Sequence, residues 1–333
     1  MYIEKISRFN KTKLNIWKNF LKKAALEPDE AVSQTVLLWD GDILVATGSR
    51  MGNLLKCIAV DSERQGEGLT ATLITALRQE AFKEGLSHLF LYTKPENKDM
   101  FSSLFFYPVA ETDKVLLMEN RKDGIINFLN TFPVKETSGI VGAAIMNCNP
   151  FTLGHRYLIE TAAKECNQLY VFVVSEDKSL FSAEDRLKMV QSGTADISNV
   201  TVLTTGPYLI SSATFPTYFL KERENVSQIK CLLDIEIFIK HYAPKFNITT
   251  RYVGTEPFSP MTKQYNTELK KALPAHGINV KEIPRLEISN VPVSASQVRT
   301  FIDSGNIQVL KSLLPDTTYD FLLSKGLIKF RRN

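Results

Sequence analysis

Apolar and polar positions change rhythm twice along the chain. TVLLWD and DILVATGSR are compact apolar runs meeting at Asp40-Gly41, which predicts two strands of a hairpin. LLKCIAVD predicts a third strand. In RQGEGLTATLITALRQEAFKEG, Leu69, Leu73, Ile74 and Leu77 recur at helical spacing after a glycine-rich turn. HLFLYT follows as a strand, so this part reads as a meander that turns into a βαβ unit. Near 121–138 the pattern breaks into a short helix-like piece, Pro133 and a polar stretch. From Gly139 the apolar runs return. GIVGAAIMN, QLYVFVVS, NVTVLTT, QIKCLLD and ITTRYVG read as strands, with helices over HRYLIETAAKE and AEDRLKMVQSG. Val- and Ile-rich strands without alternation, interleaved with helices, predict a parallel sheet covered on both faces. The expected division is 1–132 and 138–333, both α/β. Ligands of such a sheet bind at the carboxyl ends of its strands.

Length and charge narrow the possibilities. The chain has 333 residues, which suits two domains, and a formal net charge of only +4. Basic and acidic residues number 18 and 17 up to residue 135 and 22 and 19 beyond it. Neither part has the electrostatic footprint of a nucleic-acid binder, so no such partner is expected. Cys57, Cys148, Cys166 and Cys231 lie far apart, which argues against a zinc site or a disulfide framework and suits a reducing compartment. MYIEKISRFNKTK has no apolar core of a signal peptide, and no apolar run is long enough to span a bilayer. The expectation is a cytoplasmic protein without a membrane partner.

The candidate chemistry sits at strand-to-helix connections. NCNPFTLGHR, from Asn147, leads from the first strand of the second sheet into a helix. Free amides and the positive end of a helix suit a phosphate there. His155 and Thr152 would donate to it, and Gly154 admits a ligand or a neighbouring backbone. The same residues also read as an N-cap, a turn glycine and a surface histidine. SEDKSLFSAEDR places Lys178 in a loop before the Ser182 cap. RYVGTEPFSP ends a strand in Gly254-Thr255-Glu256-Pro257, a loop fit to shape a nucleoside pocket or simply to turn. NVPVSASQVR puts Ser294 and Ser296 at a helix start and Arg299 one turn in, where hydroxyls, amides and a guanidinium would converge on phosphate. In the first domain, RQGEGLT offers successive amides at Gln65, Gly66 and Gly68 for a pyrophosphate.

In order, the three later motifs resemble the H/T-x-G-H nucleotidyltransferase superfamily. Its first motif, G-[ST]-F-D-P-[FIV]-T-x-G-H, is matched by Met146 to His155, with departures at Met146, Asn147, Cys148 and Asn149. FSAEDR is similar to F-S-x-E-E-R, and VSASQVR to I-S-x-S-x-x-R/K. The resemblance implies ATP phosphates on Thr152 and His155 and the β/γ end on Ser294, Ser296 and Arg299. Asn147, Asn149, Pro150, Phe151, Gly154, Gly254 and Glu256 would complete the nucleotide site and Lys178 would join the catalytic set. RQGEGL resembles motif A of the GNAT acetyltransferases, with Thr70 where Gly or Ala is usual. A GNAT-like domain ahead of a Rossmann-like nucleotidyltransferase domain is the layout of the citrate lyase ligase family. That resemblance implies ATP and Mg²⁺, acetate, and the acyl carrier subunit of citrate lyase with its CoA-like prosthetic group. The alternatives are a small-molecule nucleotidyltransferase, an acetyl-CoA-dependent acetyltransferase and a nucleotide-binding regulator.

Overall fold

The computed structural model describes residues 1–7, 10–175, 179–209, 215–220, 226–257 and 259–328. It divides into two compact units. The first comprises Met1–Asn127 with Phe215–Glu236, and the second Phe128–Thr214 with Ile237–Asn333. The sequence-based division at 132/138 has one crossing, whereas the chain returns to the first unit for residues 215–236.

The first unit is built on strands β1 (Tyr2–Ile6), β2 (Gln34–Asp40), β3 (Ile43–Met51), β4 (Leu54–Val60), β5 (Phe90–Thr93), β6 (Tyr107–Glu111) and β7 (Leu116–Glu119). They form one sheet in the order β1-β2-β3-β4-β5-β7-β6. Its helices are α1 (Lys11–Lys23), α2 (Leu69–Lys83) and α3 (Lys98–Ser103), and α4 (Gly124–Asn130) straddles the boundary after Asn127. The Asp40-Gly41 turn joins β2 to β3 antiparallel as the pattern predicts. Leu69, Leu73, Ile74 and Leu77 of α2 are buried against Val36, Leu38 and Leu55 of the sheet. Only the β4–β5 pair is parallel, and it is short.

The second unit carries β8 (Val141–Met146), β9 (Gln168–Val173), β10 (Val200–Thr204), β11 (Thr250–Gly254) and β12 (Asn279–Ile283). They form a wholly parallel sheet in the order β10-β9-β8-β11-β12. Strand order reverses at β8, so the crevice beside β8 and β11 is the switch point where ligands of open α/β sheets bind. The helices are α5 (Leu153–Glu165), α6 (Ala183–Gly193), α8 (Ala243–Phe246), α9 (Pro260–Ala272), α10 (Ala295–Asp303) and α11 (Asp316–Ser324). A two-stranded ribbon, β13 (Glu287–Ile288) with β14 (Val291–Pro292), precedes α10. The core lies between the sheet, at Ala144, Leu169 and Val171, and helix residues such as Ile159, Val190, Val298 and Leu322. Among the described residues no helix is long and apolar enough to cross a membrane.

One predicted strand is wrong. QIKCLLD lies inside α7 (Val226–Ile237), which belongs to the first unit up to Glu236. Ile229, Lys230, Cys231, Leu233, Asp234, Ile235 and Ile237 are all buried. An apolar run buried on nearly every side has no helical stripe, so periodicity cannot separate it from a strand.

Candidate active site

Val141–Met146 ends in the loop Asn147–Phe151, whose Asn149–Pro150 bond is cis. Thr152 then caps α5. Its hydroxyl accepts from the His155 amide at 3.4 Å, while its own amide donates to His155 Nδ1 at 3.1 Å. An amide can only donate, so Nδ1 is the acceptor and the ring proton sits on Nε2. The Thr152 hydroxyl is also 2.9 Å from Nδ1. Phe151 is fully buried and its ring lies 6.0 Å from that of His155 at 18°, forming its back wall. Burial, and secondarily the charge of Arg285, pushes the His155 pKa down to about 4. His155 is therefore a neutral donor near pH 7, aimed by its own helix cap.

Gly154 has a reason other than the ligand. A β-carbon there would lie 3.1 Å from the Val293 carbonyl oxygen and 3.4 Å from Val293 Cβ. The chain leading into α10 thus runs directly over the first turn of α5. Ser294 caps α10 by accepting from the Gln297 amide at 3.2 Å. Arg299 then reaches back: Nη1 donates to the Asn149 carbonyl at 2.6 Å, and Nη2 to Ser296 Oγ at 3.0 Å. These bonds bring the two motifs together across 150 positions. Two of the five guanidinium N–H groups are used, and Ser296 is exposed beside them.

The remaining loops are tied to the same place. Asn149 is buried and its Oδ1 accepts from the Phe181 amide at 3.2 Å. Arg186, with no exposed surface, donates to the Asn147 carbonyl at 2.9 Å, Asn147 Oδ1 at 2.7 Å, the Val174 carbonyl at 2.6 Å and the Phe181 carbonyl at 3.2 Å. Gly254 ends β11, and its carbonyl accepts from Asn266 Nδ2 at 2.9 Å. Glu256 forms an ion pair with Arg285, whose Nε donates to the Thr255 carbonyl at 2.8 Å. Lys178 falls outside the described residues.

Thr152, Asn149 and Pro150 are buried in the loop, Phe151 backs the imidazole, and Glu256 holds Arg285. Arg186 and Arg285 were not singled out from the sequence. Arg186 ends the quoted FSAEDR motif, where it was legible. Arg285 follows Pro284 after β12 with no pattern of its own, and only folding brings its charge to His155.

In the first unit, the Gln65–Gly68 turn enters α2 directly after β4 and a short 3₁₀ turn. Gly66 and Gly68 have φ of +88° and +74°, conformations that favour glycine. Gly68 caps α2 without a side-chain bond, so the first amides of that helix are not spent on a cap side chain. Gln65, Gly66 and Gly68 line one side of a cavity of about 960 Å³.

The wholly parallel sheet, whose strand ends gather a capped histidine helix and a serine-capped helix bearing a guanidinium, makes the second unit an open α/β domain with its candidate site at the switch point. A GNAT-like unit precedes it in the chain: residues 17–102 match the Acetyltransferase (GNAT) family. Residues 141–322 match the Citrate lyase ligase C-terminal domain. Three curated proteins called [citrate [pro-3S]-lyase] ligase are similar along most of their length. That of Klebsiella pneumoniae is 42% identical over 310 residues, covering 91% of each chain. That of Haemophilus influenzae is 38% identical, covering 98% of this chain and 99% of its own. That of Escherichia coli is 36% identical, covering 96% and 92%. The chain belongs to the [citrate (pro-3S)-lyase] ligase family, enzymes of the ligase class.

Proposed function

We propose that the chain activates acetate with ATP and transfers the acetyl group to the thiol of the CoA-like prosthetic group on the citrate lyase acyl carrier subunit. An acetate oxygen attacks the α-phosphorus as the bond to diphosphate breaks. The carrier thiol then attacks the acetyl carbonyl, AMP leaves, and the thiol proton passes to solvent. This chemistry needs positioned donors more than a protein nucleophile. His155 Nε2–H meets charge developing at the α-phosphate. Arg299, Ser296 and the first amides of α10 hold the β/γ end. Mg²⁺ bound with ATP would need few protein ligands and would supply charge neutralisation for the leaving diphosphate. Among the described residues no three His, Cys, Asp or Glu side chains could cage an ion on their own.

The observation that carries this reading is the bond from Arg299 to the Asn149 carbonyl at 2.6 Å, which closes the two phosphate-type turns on one another. Family membership supports the substrates. The four cysteines are buried thiols rather than disulfides, in keeping with work in the cytoplasm. In the first unit, the Gln65–Gly68 turn docks the carrier's prosthetic arm without acetyl-CoA chemistry of its own. The test is exchange of labelled diphosphate into ATP. Exchange should require acetate, and transfer of acetate should require the thiol carrier. Gly68→Asp should weaken carrier acetylation while leaving the exchange intact. Acetate-independent exchange would overturn the ligase reading in favour of a small-molecule nucleotidyltransferase, and loss of both activities in Gly68→Asp would overturn the docking role.

A further inference from the structure

The cavity in the first unit is lined by more than the glycine turn. β4 and β5 are paired only at Leu54–Phe90 and Leu55–Leu91. Past Leu55 they part, while β4 stays bonded to β3 through Lys56, Ala59 and Val60. Its β5-facing edge at Ile58, Ala59 and Val60 therefore borders the cavity. At the point of divergence the register of β3 and β4 shifts, and Cys57 takes φ +52°.

Tyr218 fills this fork. It arrives on the segment Phe215–Leu220, which returns to the first unit from far along the sequence. Its hydroxyl donates to the Tyr92 carbonyl of β5 at 3.1 Å. The same hydroxyl interacts with the Cys57 backbone on β4, and burial raises its pKa well above the usual tyrosine value. The phenol thus stands between two strands that no longer bond to each other. The segment is anchored as well: the Tyr218 carbonyl accepts from the Glu27 amide at 2.8 Å, and Phe215 packs edge-on against Tyr92. Tyr218 and Phe219 are 7% and 4% exposed and both line the cavity.

A free strand edge recognises extended amides by backbone hydrogen bonds. A pantetheine arm carries two amides and ends in a thiol. With its phosphate at the Gln65–Gly68 turn, such an arm would run along the open edge of β4 towards Tyr218, which lines the same cavity. We propose that Tyr218 is a specificity residue: it makes this cavity accept a pantetheine-type arm ending in a free thiol and refuse the same arm once acetylated. This rests on the docking role proposed above. A thiol ends at the phenol, whereas an acetyl group would have to occupy the fork that the ring fills. The consequence for the reaction is direct, because the free-thiol arm is substrate and the acetylated arm is product. A dock that holds only the first releases the carrier when transfer is complete.

The test uses the full chain and two probes, coenzyme A and acetyl-coenzyme A, titrated by calorimetry. The wild type should bind coenzyme A roughly tenfold or more tighter than acetyl-coenzyme A. Tyr218→Ser should bring the two affinities together, and Tyr218→Phe, which keeps the ring, should preserve the difference. Equal affinities in the wild type would remove the proposal and leave the docking role standing, whether or not the serine variant folds. A preference unchanged in a folded Tyr218→Ser protein would also remove it. Binding of neither probe to any form would remove the docking role, and the proposal with it.

Discussion

Lowering the pH tests whether His155 acts as a neutral donor. An ordinary imidazole, with a pKa near 6.5, is roughly three-quarters protonated at pH 6. His155, with its pKa pushed down to about 4, is almost wholly neutral there. Protonation would place a hydrogen on Nδ1, directly opposed to the Thr152 amide 3.1 Å away, and would set a second cation near Arg285. It would therefore undo the α5 cap as well as charge the ring. The sign for stability follows. The unfolded chain takes up this proton first as pH falls below about 6.5, so the neutral-histidine contribution is complete above that value and is lost on descent towards about 4. The full contribution is on the order of 3 kcal/mol. Proton NMR of the four histidines follows the ring directly, and the pH profile of diphosphate exchange follows its chemistry. His155 should show no titration between pH 8 and 5.5, and exchange should show no loss attributable to it in that range. Arg285→Ala should raise the His155 pKa part of the way, since burial is the larger cause and remains. Titration of His155 near 6.5 in the wild type, or a pKa unmoved by Arg285→Ala, would refute the reasoning.

Two further changes probe the frame around that histidine. Gly154→Ala forces a β-carbon to 3.1 Å from the Val293 carbonyl, on a segment held by the Val293 amide, which donates to the Leu286 carbonyl. It should cost about 1–3 kcal/mol by overpacking, and should weaken ATP binding by displacing Ser294 and Arg299; an unchanged thermal midpoint with unchanged nucleotide affinity would count against the close approach. Arg186→Leu strands the carbonyls of Asn147, Val174 and Phe181 without their buried cation. A loss of about 3–5 kcal/mol in urea unfolding is expected, with Arg186→Lys recovering only part of it because one ammonium cannot reproduce the fork.

What the sequence disclosed, and what it withheld, divides by the kind of force involved. The buried runs of β8, β9 and β11 were legible because a parallel sheet covered on both faces needs unbroken apolar strands. The helix at 226–237 was not, although Lys230 and Asp234 stand at the i,i+4 spacing that only a helix turns into a pair, and they do form an ion pair there. At the candidate site, motif spacing pointed to the two turns that Arg299 ties together, and assigned almost every motif residue a direct hold on a ligand. In a buried loop the polar groups also satisfy one another, which spacing alone does not reveal. Thr152 is spent on His155, Asn149 on Phe181 and Arg299, and Asn147 on Arg186. Glu256 is spent on Arg285. Among the described residues the groups left over are His155 Nε2–H, three N–H groups of Arg299, the Ser296 hydroxyl and the opening amides of α10. Every one of them is a donor, or can act as one, and none is an activated nucleophile. In the reaction we propose, such a set of donors suits attack between two substrates on a stabilised phosphate more than covalent catalysis by the protein itself.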